Sequence, residues 1–437
     1  MDLLYSLARD RPRITVLDDS TWLTCVVETT DSNSNKSNYL VVHRLPTVDV
    51  VAAEATATPN LIPLEVEGVA NCGLGVVRLT KTENYACVRL NHGMATESVA
   101  FFPLTAMQSP DAVQPTIPKV EGLSLNPLAQ ASLDKDRLAL VAGDANGAVW
   151  MVRERKSSPD AWELRNRFDL PSSGTSQFAV IDGKTAHIAG IASNDDSAKS
   201  GWFSARLTLD AGPGEVSYHQ VGLSRAVLGV VLDDAGGVLV GWFGNGGKAP
   251  VGVTRLTSTH QISWEQELGT SPLSWGGAAL ARRHDNAVLA LTTTLADPSW
   301  LPSKEIPYPP VAFEAFVIRG GPTNGPVPAS TNIFQGEVPP IGKAHRPPVL
   351  AAVGDQRFLI AWASTSGIHW RFLDESGRIT DTPQCDDSAQ GDCVAADPSC
   401  EAKTCTPEGC TSRLAVDGVG CSASGLCQAG VCITSDP

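Results

Sequence analysis

Three polar stretches carry residue types from which a ligand site could be built. Asp31, Asn33 and Asn35 alternate with serine; Asn194, Asp195 and Asp196 are consecutive; Trp300, Lys304 and Tyr308 lie in a proline-rich run. Carboxamides and carboxylates around an exposed aromatic are what a sugar or a polar peptide requires. Asp31, Asn33 and Asn35 also offer the alternating oxygens of a calcium loop. They lack the glycine at position six and the acid at position twelve that such a loop uses. No cofactor is therefore expected, with calcium at this loop as the alternative.

Motifs for covalent or metal chemistry are missing. There is no H-E-x-x-H, no G-x-S-x-G and no Walker P-loop. Gly244-Asn-Gly-Gly-Lys248 has a phosphate-loop flavour but the wrong spacing, and it leads into no helix, so it reads as a turn. The eight histidines are scattered singly and read as surface or satisfied core residues. No catalytic residue and no metal ligand is assigned.

The eleven cysteines are unevenly placed. Cys72 and Cys87 flank one hairpin and are expected to pair, leaving Cys25 buried and free. Eight more, Cys385, Cys393, Cys400, Cys405, Cys410, Cys421, Cys427 and Cys432, crowd a segment with almost no core-forming residues. Such a segment cannot offset its chain entropy by apolar burial. Internal disulfides, each worth about 2–4 kcal/mol, are expected to hold it. Zinc is the alternative, but no C-x2-C pair and no histidine after His369 accompany these cysteines. A disulfide-rich end implies an oxidising compartment.

The elements that must position the polar stretches are strands. Ala226 to Gly244 reads as two apolar runs around Asp-Asp-Ala-Gly-Gly, a hairpin signal. Both runs are apolar on both faces, so both faces are expected to be covered. The unit recurs. Anchors just past each first turn, at Ser20, Asn84, Asp136, Thr185, Gly236, Asn286 and Gln356, are separated by 64, 52, 49, 51, 50 and 70 residues. A period near 50 is a repeat architecture. The predicted fold is all-β: a seven-bladed β-propeller over 1–380, then a cysteine-rich tail over 381–437. A row of β-sandwich domains is the rival, but seven units do not divide into pairs. Irregular loops are expected at Ala53–Pro63, Ala296–Pro310 and Gly320–Ser330. Trp22, Trp150, Trp202, Trp242, Trp362 and Trp370 fall in strands, where blade-to-blade packing is expected. Gly229, Gly241 and Ala290 are expected to let inner strands crowd near an axis.

Two segments resemble known repeats. Asp144 to Trp150 looks like the D-x-x-G-x-V-W turn and strand of propeller blades. Phe358 to Thr380, with Trp362 and Leu373-Asp-Glu-Ser-Gly-Arg-Ile379, resembles the repeat of secreted bacterial propellers. Asp144, Gly147 and Trp150 also come close to the S-x-D-x-G-x-x-W box of propeller sialidases, but the Asp-to-Gly spacing is one residue too long and the serine is absent. Asp417-Gly-Val-Gly-Cys421, Gly425-Leu-Cys427 and Gly430-Val-Cys432 resemble the cysteine-rich segments beside disintegrin domains. That resemblance implies a disulfide knot and an extracellular interaction module, and carries over no catalytic residue.

Net charge is −14 and the pI about 5.0, with no Lys/Arg cluster. That excludes a phosphate-binding footprint and an anionic membrane surface. No run of 18 apolar residues occurs, so no transmembrane helix is expected. The start, Met1 to Arg13, lacks the apolar region of a signal peptide, so an export segment is expected to have been removed or left out. The sequence thus reads as an exported, non-enzymatic propeller, expected to be monomeric, that binds a carbohydrate or protein partner, or scaffolds, at a cell surface or outside the cell. The alternatives are a propeller-type glycosidase or lyase and a purely structural envelope protein. Converging Asp, Glu, Arg or His side chains at the central channel would favour the enzyme; a lining of small and apolar residues would favour the binder.

Overall fold

The computed structural model describes 32 β-strands. Besides these strands it describes residues 12, 64, 79–83, 104, 117, 125, 135–136, 170–171, 183–184, 209–211, 214, 233, 236–237 and 257–261. Sheet one holds β1 (Tyr5–Ala8), β2 (Arg13–Leu17), β3 (Ser20–Thr30), β4 (Lys36–Pro46) and β5 (Asn60–Pro63). Sheet two holds β6 (Val69–Arg78), β7 (Asn84–Asn91) and β8 (Glu97–Pro103). Sheet three holds β9 (Asn126–Asp134), β10 (Arg137–Asp144), β11 (Gly147–Glu154) and β12 (Trp162–Asp169). Sheet four holds β13 (Gln177–Asp182), β14 (Thr185–Ala192), β15 (Gly201–Thr208) and β16 (Glu215–His219). Sheet five holds β17 (Arg225–Leu232), β18 (Val238–Gly244), β19 (Ala249–Leu256) and β20 (Ile262–Ser271). Sheet six holds β21 (Ala279–Arg282), β22 (Val288–Leu295), β23 (Val311–Arg319) and β24 (Val327–Asn332). Sheet seven holds β25 (Val349–Val353), β26 (Arg357–Ser364) and β27 (Gly367–Leu373). Beyond these come a hairpin, β28 (Glu401–Thr406) with β29 (Gly409–Leu414), and a small sheet of β30 (Gly420–Ser422), β31 (Gly425–Gln428) and β32 (Val431–Thr434).

The pleat explains why these strands are apolar throughout. Successive side chains point to opposite faces, so a strand sandwiched between two sheets needs apolar residues at every position. In β10, Leu138, Leu140 and Ala142 pack toward sheet two, while Ala139 and Val141 pack toward sheet four. Neighbouring sheets touch all the way round, and six of the seven seams show a shared apolar core among the described residues. Trp22, Cys25, Leu40, Cys72 and Val88 join sheets one and two. Cys87, Phe101, Leu140 and Met151 join two and three, and Trp150, Phe168, Ile188 and Phe203 join three and four. Trp202, Val227 and Val240 join four and five; Leu239, Val253 and Leu280 join five and six. Sheet six meets sheet seven through β21 and β25. Leu23, Val353, Leu359 and Ala361 then join sheet seven back to sheet one.

The innermost strands touch in succession: β2, β6, β9, β13, β17, β21, β25 and again β2. Among the described residues seven sheets follow one another in a closed succession, inner strand to inner strand, which is the arrangement of a β-propeller. Each anchor of the period falls in sequence between the inner strand of a sheet and the strand paired to it, or on the first residue of the latter. Among the described residues each sheet is built of consecutive strands. The ring therefore closes there by apolar packing of sheet seven on sheet one. No helix among the described residues is long and apolar enough to cross a membrane.

Several expectations change. Asn60–Pro63 and Val327–Asn332 are outer strands, not loop, and Tyr5–Ala8 is a strand ahead of Arg13. Pro63 and Pro328 are tolerated because each lies on an edge strand, where one side of the backbone faces no ladder. Gly241 and Ala290 lie in second strands rather than inner ones. A Cβ on Gly241 would come within 3.0 Å of Leu280 Cδ1, so this glycine admits the next sheet. The space around Gly229 is open, and that residue crowds nothing. In the tail, backbone register sets Cys405 opposite Cys410 and Cys427 opposite Cys432. The tail side chains, and the 380/381 boundary, lie outside the described residues.

Candidate functional site

The residues singled out in the loops, Asp31, Asn33, Asn35, Asn194, Asp195, Asp196, Trp300, Lys304 and Tyr308, lie outside the described residues. The strands that carry those loops are described. The 31–35 loop joins β3 to β4, the 193–200 loop joins β14 to β15, and the 296–310 loop joins β22 to β23. The last two connect the second strand of a sheet to the third; in five-stranded sheet one the first joins β3 to β4, the equivalent pair counted outward from the inner strand β2.

The inner strands lie at the centre of the ring. Ile14, Thr15 and Val16 on β2, Ala131 on β9, Ala179 and Val180 on β13, Val230 and Val231 on β17, and Ala351 and Ala352 on β25 are all half-buried. Small and apolar side chains thus dominate the strands that surround the axis. Among the described residues these strands also carry Arg13, Arg78, Asp182 and Arg282. Gln130 and Gln177, on the neighbouring strands β9 and β13, have both amide ends buried, and neither oxygen nor nitrogen has a hydrogen-bond partner. Gln177 packs against the backbone of Gly143 on sheet three and of Gly190 on its own sheet.

Histidines converge where the sequence suggested isolation. His187 on β14, His219 at the end of β16 and His260 in the turn after β19 are all buried, at the seam of sheets four and five. His187 Nδ1 lies 2.9 Å from His260 Nε2, and the rings stack with centroids 5.2 Å apart. One nitrogen donates and the other accepts, so this bond needs at least one neutral ring. Burial pushes His260 down to about 4, helped by the charges of His187, His219 and Arg206. Burial likewise lowers His219 to about 4 against the opposing pull of Glu265, and lowers His187 with help from Arg206. His260 has a φ of 59°, in the left-handed region. The signal that could have found this cluster was the two-residue alternation. His187 shares a face with Ala189, and His219 stands opposite Trp202, both in the core between sheets four and five.

Ser204 Oγ sits 2.8 Å from His219 Nε2, the spacing of a nucleophile and its base. Ser204 has no exposed surface, however, and His219 stacks on Trp202 at 4.1 Å. A ring held near 4 is also a poor base at neutral pH. The pair therefore ties β15 to β16. Nearby, Trp242 Nε1 donates to Thr254 Oγ1 at 2.9 Å, and Thr254 donates to Glu265 Oε2 at 2.9 Å, on the same seam.

The cysteine expectation is corrected. Cys25, Cys72 and Cys87 are all buried and none is in a disulfide. Cys72 and Cys87 cannot meet because they face opposite sides of sheet two: Cys72 belongs to the core shared with sheet one, Cys87 to the core shared with sheet three. A register shift between Cys72 and Gly75 sets Cys72 opposite Val88 and Gly75 opposite Cys87. Gly75 has a φ of 90°, and a Cβ there would lie 2.5 Å from Thr15 Oγ1. Burial raises Cys87 to about 12 despite a backbone hydrogen bond with Leu74, which keeps it a thiol. Among the described residues no group of three His, Cys, Asp or Glu side chains has metal-binding geometry.

No protein-family model matches the chain, and no curated protein matches it. Solved structures resemble it in part. YCF48 from Cyanidioschyzon merolae is 12% identical over 85% of this chain and 96% of its own, with a TM-score of 0.46. A PL25 ulvan lyase bound to a sugar is 8% identical over 87% and 94%, with a TM-score of 0.46. A thermostable family-43 glycoside hydrolase is 11% identical over 59% and 91%, with a TM-score of 0.34. Likenesses of this size carry no functional argument; the propeller itself rests on the order and packing of its sheets.

Proposed function

We propose that the chain is an exported propeller that binds a carbohydrate or protein partner without chemistry, through the loops joining second to third strands. The observation that carries this reading is the composition of the inner strands: among the described residues they present mainly small and apolar side chains, with charged residues such as Arg13 and Arg282 scattered on different sheets. Strand direction alternates within each sheet, so all second-to-third loops open on one rim of a propeller. The loops after β14 and β22, residues 193–200 and 296–310, exceed the two to five residues that chain reversal alone needs, whereas the sequence-expected long loop after β3 is only residues 31–35. Asp31, Asn33, Asn35, Asn194, Asp195, Asp196, Lys304 and Tyr308 would supply polar contacts around Trp300 on that rim. Binding on loops held by a rigid scaffold is the common arrangement. The cysteine-rich tail supports export, since its thiols suit an oxidising compartment.

Glycan and peptide arrays probed with the purified full chain test the reading. The expected result is a ligand whose binding is weakened at least tenfold by Trp300→Ala with the melting temperature unchanged. Equal loss of binding and of melting temperature would make Trp300 a packing residue and overturn the rim site. Turnover of a polysaccharide by the wild-type chain would overturn the non-enzymatic reading.

A further inference from the structure

Sheets one and two meet at a pair of cysteine sulfurs. Cys25 on β3 and Cys72 on β6 are 47 residues apart in sequence, yet their Sγ atoms are 2.7 Å apart. Both side chains are buried in the core between the two sheets, with 0% and 3% of their surface exposed. The Val26 backbone N–H donates to Cys72 Sγ at 2.9 Å, fixing that sulfur against β3. The strands around the pair are held at the same seam. Val76 N–H donates to Thr15 Oγ1 at 2.8 Å, and Arg13 Nε donates to Gly73 O at 2.5 Å. Two thiols fixed this close need only a small approach to reach the ~2.05 Å of a covalent bond.

We propose that Cys25 and Cys72 form a disulfide that staples the first sheet of the ring to the second. The oxidant is a disulfide, either low-molecular-weight such as oxidised glutathione or that of a thiol oxidoreductase. One cysteine thiolate attacks it, forming a mixed disulfide and expelling one thiolate. The other cysteine thiolate then attacks the protein-side sulfur and expels the second. Two protein thiols are oxidised, one disulfide is reduced to two thiols, and the two protons pass to the leaving thiolates. Because both sulfurs are buried in the folded ring, the exchange takes place while sheet two is docking on sheet one. Cys87, on the far face of sheet two and held as a thiol, stays out of the exchange.

The staple is stable against reduction to the degree that the fold holds the sulfurs together, and it ties the β3 and β6 strands across a loop of about fifty residues. The test is refolding of the full-length chain from the denatured, reduced state in a glutathione redox buffer, followed by acid quench, alkylation under denaturing conditions and non-reducing peptide mapping. The expected result is a Cys25–Cys72 bridged peptide as the main product of these three cysteines, with Cys87 alkylated. Cys87→Ser should leave the bridge intact. A melting-temperature loss of roughly 5 °C is expected for oxidised Cys25→Ser/Cys72→Ser relative to oxidised wild type. Adding reductant should lower wild type toward the double variant, with the tail bridges reduced alike in both. Alkylation of both Cys25 and Cys72 in a correctly refolded chain, or a bridge from either one to Cys87 or to the tail, would overturn the proposal. Should the double variant fail to fold, the peptide map of wild type decides alone.

Discussion

At the residue scale, a buried charge cluster sits at the turn that closes the first hairpin of sheet five. Asp233 is buried and accepts from Arg255 through both Nε, at 2.8 Å, and Nη2. Arg282 Nε comes within 3.7 Å of the same carboxylate from sheet six, and its Nη1 donates to Leu232 O at 3.1 Å. One acid thus links the turn to the neighbouring strand β19 and to the next sheet. Removing one partner of a buried pair leaves the other desolvated, which costs several kcal/mol. Asp233→Ala is expected to lose about 3 kcal/mol in urea denaturation, and a loss under 1 kcal/mol would show that the arginines re-solvate. Gln177 makes the opposite case. Its amide is buried without a partner, so an apolar residue of similar size relieves an unmet polar group. Gln177→Leu is expected to hold or raise the melting temperature; a clear fall would reveal an amide that is satisfied in solution.

At the element scale, the seam between sheets four and five responds to acid. His219 and His260 titrate near 6.5 when unfolded and near 4 when folded, so the unfolded chain binds more protons between those values. Their contribution to stability is complete above about pH 6.5 and is lost as pH falls toward 4. The charged groups that enter are Arg206, which opposes protonation of His187 and His260, and Asp182 and Glu265, which favour protonation of His187 and His219. Melting curves from pH 7 to 4 should therefore slope downward. His260→Asn, which suits the left-handed backbone there, should flatten a large part of that slope. An unchanged slope would place the acid sensitivity elsewhere.

At the scale of the whole molecule, the ring is closed where sheet seven packs on sheet one. Sheets one and seven meet through Leu23, Val353, Leu359 and Ala361, with Ile14, Val16, Val349 and Trp370 packed on them and His43 against Trp370 at 4.8 Å. Leu359 is fully buried at that seam. Leu359→Ala is expected to cost about 3 kcal/mol and to raise hydrogen exchange first in β25 to β27 and β2. Exchange that rises evenly over all seven sheets would mean that the seam opens only with global unfolding. The tail is expected to stand apart energetically: truncation after Thr382 should leave the melting temperature of the ring within a few degrees, and a larger fall would show that it docks on a blade.

The sequence by itself determined the number of hairpins and their period, because turn residues and apolar runs are local features. Strands apolar on both faces, such as β10 and β18, announced sheets covered on both sides before any partner was known. Outer strands were illegible. β12, β16 and β20 are largely polar, and β5 and β24 contain proline, so they look like loop until a neighbour offers them a ladder. Only the tertiary structure decided which cysteines meet. Cys72 and Cys87 are close along a hairpin, but a bulge and the pleat send them to opposite faces, while Cys25 arrives from the neighbouring sheet. The histidine cluster has the same origin, since His187 and His260 are 73 residues apart and touch only because two blades stack. Local pattern fixes strands and turns; contacts between blades depend on which face each residue presents after the ring has closed.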